Sequence, residues 1–69
     1  MKLTYDKEAD AMYIALEDIK PRMVKQTVAL NDDIMVDFNA SKKIIGIEIL
    51  SVSKNLPSKE LKEVAKIRA

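Results

Sequence analysis

Few side chains in this sequence could do chemistry. It has no histidine and no cysteine, which removes zinc-type ligand sets and every nucleophile–base pair built on either residue. Carboxylates are what remain. Asp6, Glu8 and Asp10 alternate like the opening ligands of a calcium loop. Such a loop needs Gly at its sixth position and Glu at its twelfth. Ala11 and Glu17 stand there, so the missing glycine argues for plain turn formation, in which Asp side chains bond nearby backbone N–H groups. Asn31, Asp32 and Asp33, with Asp37 close behind, form a second acidic group that reads the same way. Asp37 and Glu48 fall on one face of neighbouring strands, where a close pair could share a proton. The expected register sets Asp37 opposite Ile44 and Glu48 nearer Asp33, which keeps the two apart. Ser41, Ser51, Ser53 and Ser58 have no evident base. Gly46, the single glycine, lies inside a strand and cannot build a phosphate cradle. Glycine there marks a bulge or a close backbone approach. No catalytic residue, metal or cofactor is expected.

The elements that position these groups follow from periodicity. Lys2 to Tyr5 reads as a first strand, with Leu3 and Tyr5 on one face. Ala11 to Glu17 alternates, with Met12, Ile14 and Leu16 together and Ala11, Tyr13 and Ala15 opposite. Helix is the rival there, since Ala, Met, Leu and Glu favour it, but the apolar residues fit period two. Pro21 ends this segment. Arg22 to Leu30 is a third strand, Ile34 to Phe38 a fourth and Lys43 to Val52 a fifth. Tyr5 and Phe38 are expected to face the core.

Parity sets the hairpins. Core residues are even-numbered in the third and fourth strands, so Leu30 faces Ile34 across a three-residue turn, Asn31–Asp33. Such a turn usually carries a positive φ near its end. In the fifth strand Ile45, Ile47 and Ile49 are the core set, which demands an even loop, Asn39 to Lys42. Short loops make these strands antiparallel neighbours. Pro57 to Ile67 is an amphipathic helix with Leu61, Val64, Ala65 and Arg68 in its stripe. Glu60 suits its first turn, and Lys66 and Arg68 its last. The expected class is α+β: one domain over 1–69, an antiparallel meander of four to five strands (about 2–52), and one short C-terminal helix (about 57–67).

Composition narrows the function. With 69 residues, 48% hydrophobic and 33% charged, the chain has room for one small core. Domains this short usually gain stability from disulfides, metals or partner subunits, and here only the partner is open. The start of the chain has no apolar leader core and no apolar run spans a membrane. A cytoplasmic protein with no membrane partner is expected. Residues 52–69 carry net charge +3 and residues 1–51 net −2. The basic tail reads first as a solvated helix face and only secondarily as a weak nucleic-acid contact.

Tyr5-Asp6-Lys7-Glu8-Ala9-Asp10-Ala11-Met12-Tyr13-Ile14, then Val36-Asp37, then Ile45-Gly46-Ile47-Glu48-Ile49-Leu50, resembles a family of short prokaryotic domains of unknown function. Those domains carry a YD-x-EADA-x-YI opening and a VGIEIL close. The likeness covers about residues 3–56 and implies a compact antiparallel-sheet domain, with no activity to carry over. The family commonly turns through Asp-Gly before its last strand. Here Asn39-Ala40-Ser41-Lys42 stands instead, so Asn39 or Ser41 is expected to carry that turn. The leading functional expectation is a non-catalytic module that forms a homo-oligomer through the Tyr13 face or a sheet edge. Its interface candidates are Tyr13, Met35, Asp37, Ile44, Glu48 and Leu50, because amphipathic rings and thioethers suit interfaces. The alternative is a partner-neutralising, antitoxin-like protein that binds another small protein through its terminal helix or an edge strand.

Overall fold

The computed structural model describes residues 1–64. Five strands form one antiparallel sheet: β1 (Lys2–Asp6), β2 (Ala11–Ala15), β3 (Gln26–Ala29), β4 (Ile34–Phe38) and β5 (Ile44–Ile49). Two short helices follow, α1 (Val52–Asn55) and α2 (Ser58–Val64). The class is α+β, with two helices where one was expected. Period two prevails over helix propensity in residues 9–17, and β2 is a strand.

The strand order is β1-β2-β5-β4-β3. β3, β4 and β5 form a meander, and the β1–β2 hairpin docks β2 against the far side of β5. The link from β2 to β3 therefore runs to the opposite edge of the sheet. It contains Pro21 and Arg22, the latter at φ 71. Both conformations oppose a regular ladder, which is why β3 starts at Gln26 and not at Arg22.

Register puts Leu3, Tyr5, Met12, Ile14, Ile47, Ile49, Ile34, Val36 and Val28 on one face. Tyr5, Met12 and Val52 form the core cluster, with Leu3, Ile14, Ile49, Leu56 and Leu61 packed around it. Val52 was expected to end the fifth strand. It opens α1 instead and is fully buried, a burial that contributes about 1.5–3 kcal/mol. Leu56 and Leu61 bring the helical segment onto this cluster, so the part of it described here caps the core. Of the expected helical stripe, Ala65 and Arg68 lie outside the described residues, as do Lys66 and Ile67.

The two hairpin loops of the β3–β4–β5 meander differ. Leu30 N donates to Ile34 O at 2.8 Å, closing the expected three-residue turn Asn31–Asp33. None of its residues has positive φ. Asn31 Oδ1 accepts the N–H groups of Asp33 and Ile34, each at 2.8 Å, and that Asx geometry turns the chain without a left-handed residue.

The β4–β5 loop departs from expectation. Asn39 N donates to Lys43 O and Lys42 N to Asn39 O, each at 3.0 Å. The loop is thus the odd triplet Ala40-Ser41-Lys42. Lys42 carries the left-handed conformation at φ 63, not Asn39 or Ser41. The change of parity is made inside the strand. Asp37 pairs with Gly46 but Phe38 with Ile44, so β5 holds one extra residue in a β-bulge. Asn39 supports the loop by accepting from Ser41 N and Lys43 N at 3.0 Å.

Lys42 sits where a residue with a side chain is disfavoured by about 1–2 kcal/mol. Lys42→Gly relieves this at some cost in chain entropy. We expect a net gain of about 0.5–1 kcal/mol, read as a raised urea midpoint with unchanged slope.

Candidate functional site

Two tyrosine–aspartate constellations organise the molecule, one on each face of the sheet. The first lies opposite the core. Tyr13 in β2 pairs across to Glu48 in β5, and its ring leans over Gly46. Its hydroxyl donates to Asp37 Oδ2 at 2.7 Å. Thr27 Oγ1 in β3 donates to Asp37 Oδ1 at 2.6 Å. Tyr13 thereby reaches from β2 past β5 to β4, a span of about two strand spacings, near 10 Å. Among these side chains only a tyrosine combines that reach with a donor at its tip.

Gly46 makes this possible. A Cβ at position 46 would sit 1.9 Å from the Tyr13 hydroxyl oxygen and 2.5 Å from Cζ. The glycine is a close-approach residue next to the bulge. Its φ is not positive, so space, not backbone freedom, requires it.

Electrostatics fit a locked hydroxyl. Tyr13 is pushed up to about 12, first by desolvation, then by its hydrogen bond to Asp37, with the charges of Asp37 and Glu48 adding. A raised tyrosine is the opposite of an activated nucleophile, which needs its pKa lowered. Both Asp37 oxygens accept from neutral hydroxyls.

The second constellation ties α1 to the sheet. Asp10, at φ 52, accepts the Tyr5 hydroxyl at 3.0 Å. It also accepts Ser53 Oγ at 2.6 Å and Ser53 N at 3.2 Å. Its own carbonyl accepts Val52 N at 2.9 Å. The Ser53 hydroxyl leads the interactions that hold the Asp10 carboxyl below its ordinary range, against desolvation. Asp33 does the matching work from the β3–β4 turn. Its carboxylate accepts Asn55 Nδ2 at 3.0 Å, and Lys54 lies 3.9 Å away. Asn55 also donates to Leu50 O and Ser51 O. The four-residue α1 is pinned at both ends by the two turns that carry the acidic groups.

Asp6 and Asp10, two of the three carboxylates whose spacing invited a metal, have partners within their own chain. Asp6 Oδ1 accepts Glu8 N at 3.1 Å and Ala9 N at 3.3 Å, which is the turn chemistry expected of it. No group of three metal-ligating side chains converges among the described residues.

The matched region spans the first constellation and the second as far as Ser53. A model for proteins of unknown function (DUF2283) matches residues 2–53, from the start of β1 to Ser53. The chain belongs to the DUF2283 family. An uncharacterized protein of Methanocaldococcus jannaschii, MJ0789, is 41% identical over 54 residues, which is 78% of this chain and 43% of that protein. The chain thus spans under half the length of that relative. No solved structure matches. No helix among the described residues is long and apolar enough to cross a membrane.

The expected interface set divides. Tyr13, Met35, Asp37 and Glu48 do share one face, with Met35 opposite Glu48 and Asp37 opposite Gly46. Asp37 was expected opposite Ile44, and Glu48 nearer Asp33. The bulge shifts both and makes Asp37 and Glu48 diagonal neighbours. It also moves Ile44 opposite Phe38, into the row of Val36. Leu50 lies past the end of β5, where its N–H donates to Asp33 O at 2.7 Å. Thr27 and Ser53 were missed. Their signal was weak, since a hydroxyl residue in a strand or turn is unremarkable until a carboxylate is known to face it.

Two outcomes follow. Gly46→Ala displaces the Tyr13 tip and breaks its bond to Asp37, costing about 1–3 kcal/mol. In a Tyr13→Ala background the same change costs less than half as much, as chemical denaturation of the four-member cycle will read. Tyr13 also imposes an alkaline limit. Its folded pKa lies above the ordinary tyrosine value of 10.0, so its contribution is intact below pH 10 and falls away as pH rises toward 12. Phenolate absorbance and circular dichroism, followed together, are expected to change in one step above pH 10.

Proposed function

We propose that this chain is a non-catalytic interaction module that works by self-association. The observation that carries the reading is a half-covered sheet. Helical residues pack on the β1–β2 side of the core face through Leu56 and Leu61. In and beside β3, Val24, Val28 and Leu30 stand 37%, 38% and 65% exposed, and Ile44 at the start of the central strand β5 stands 47% exposed. All four residues of β3 are exposed. Apolar side chains left exposed at an edge strand, on a chain with five buried hydrophobic side chains among the described residues, support a contact site there. It also supplies the stabilisation that a short chain lacks.

The carboxylates support the non-catalytic half of the reading. Asp10 and Asp37 accept from hydroxyl and amide donors of their own chain, and the Tyr13 hydroxyl is held protonated. Such groups hold strands together and are not free to act as a base.

Sedimentation equilibrium from low micromolar to near-millimolar concentration tests the proposal. The apparent mass is expected to rise with concentration from one chain toward two. Leu30→Glu, at a site too exposed to disturb the fold, is expected to shift that rise to higher concentration. A single-chain mass throughout contradicts the reading.

A further inference from the structure

We propose that the β3 edge is covered by a second copy of this chain, its β3 running antiparallel across Val28. This rests on the self-association reading and names the seam. The bond from Leu30 N to Ile34 O fixes the alternation of the ladder. Residues 26, 28 and 30 turn their backbone groups to β4, and Thr27 and Ala29 turn theirs to the open edge. Lys25 N is also committed inward, to Phe38 O at 2.8 Å. The open edge thus offers two N–H and two C=O groups, from residues 27 and 29.

The two sheet edges are not alike. β1 carries Lys2 and Asp6, charges of the kind that discourage edge pairing. β3 reads Gln-Thr-Val-Ala, with no charge and no proline. Only one self-pairing lets both outward residues bond each other. Thr27 of one copy faces Ala29 of the second, and the reverse, giving four hydrogen bonds about a twofold axis through Val28. Centring on Thr27 would call on Lys25 N, already used. Centring on Ala29 would call on Asn31, where the chain has turned.

Charge selects the same direction. Arg22 and Lys25 flank β3 at one end, and Asp32 and Asp33 at the other. Antiparallel pairing lays each basic end beside the second copy's acidic turn, whereas parallel pairing would stack like on like. On the apolar face the two Val28 side chains meet at the axis with a Leu30 on either side. The product is one continuous ten-stranded sheet, which hides the β3 edge of each copy and joins their exposed apolar side chains.

The absence of cysteine makes a direct test simple. Val28→Cys places two thiols on the axis in a non-hydrogen-bonded pair, where Cα separation suits a disulfide. Under mild oxidation it is expected to give a covalent dimer, while Lys2→Cys on the β1 edge is not. Ala29→Pro removes one outward donor per copy without touching the β4 ladder. It should raise the dimer dissociation constant about 30-fold, the loss of two hydrogen bonds, with the monomer's circular dichroism retained. Lys25→Glu should weaken the dimer several-fold, and Lys25→Glu with Asp32→Lys should recover it. If Lys2→Cys cross-links as well as Val28→Cys, or if folded Ala29→Pro associates like the parent, the seam is wrong although self-association stands. A parent chain that is monomeric at every concentration overturns both.

Discussion

The missing side chain at position 46 is the constraint on which one face of the sheet depends. A twisted five-stranded sheet has one face to fill and one to expose, and a short chain has little material for either. Here the exposed face is bridged by a single ring. Because Gly46 leaves a gap, Tyr13 can lie across β5 and reach Asp37 on β4, with Thr27 extending the link to β3. Three side chains connect four strands in the direction perpendicular to the chain. Backbone ladders join neighbours only, so this bridge supplies a coupling that the sheet would otherwise lack.

The core face is built on a different plan. Its buried cluster is small, and part of it comes from Val52, a residue in a helix of four. A helix that short cannot persist on hydrogen bonding of its own. It is held by the loops beneath it, through Asp10 to Ser53 and Asp33 to Asn55. The acidic turns therefore act on packing: they hold α1 so that Val52 stays buried. Ser51, left-handed at φ 49, gives the sharp bend from β5 into α1 that allows this. A hydrophobic contribution of about 1.5–3 kcal/mol thus depends on polar contacts at its rim.

Much of this was legible in the residues. Period two placed β2 correctly against its helix propensity, and parity assigned the Leu30–Ile34 turn. The role of Gly46 as a close approach was open to view, but not which ring approached it. The largest miss was one of register. The bulge at Ile45 and Gly46 changes register by one residue within a run of isoleucines, and Ile44, Ile45, Ile47 and Ile49 are interchangeable to any pattern of apolar and polar residues. Parity then forced the change of face into the Asn39–Lys42 loop, and Asp37, Glu48 and Ile44 were displaced with it. The β2–β3 link escaped for a related reason: ten residues can turn back or cross a sheet, and only the pairing of β2 with β5 decides.

The two faces also explain why the open surface falls where it does. Tyr13 and Asp37 close the far face over β2, β5 and β4, and the helices close the near face over β1 and β2. Tyr13 originates in β2, and although α1 is held by both the Asp10 loop and Asp33 of the β3–β4 turn, the helical side chains pack on the cluster beside β1 and β2. β3 lies three strands away from β2. It receives the Thr27 hydroxyl bond to Asp37 and a ladder of four residue pairs with β4. Helical cover that packs beside β1 and β2 leaves the distant edge exposed, where Val28 and Leu30 are exposed apolar side chains. Exposed apolar side chains on an uncharged edge strand are what a joining surface requires, and this chain puts them where its own helices, as far as residue 64, do not pack.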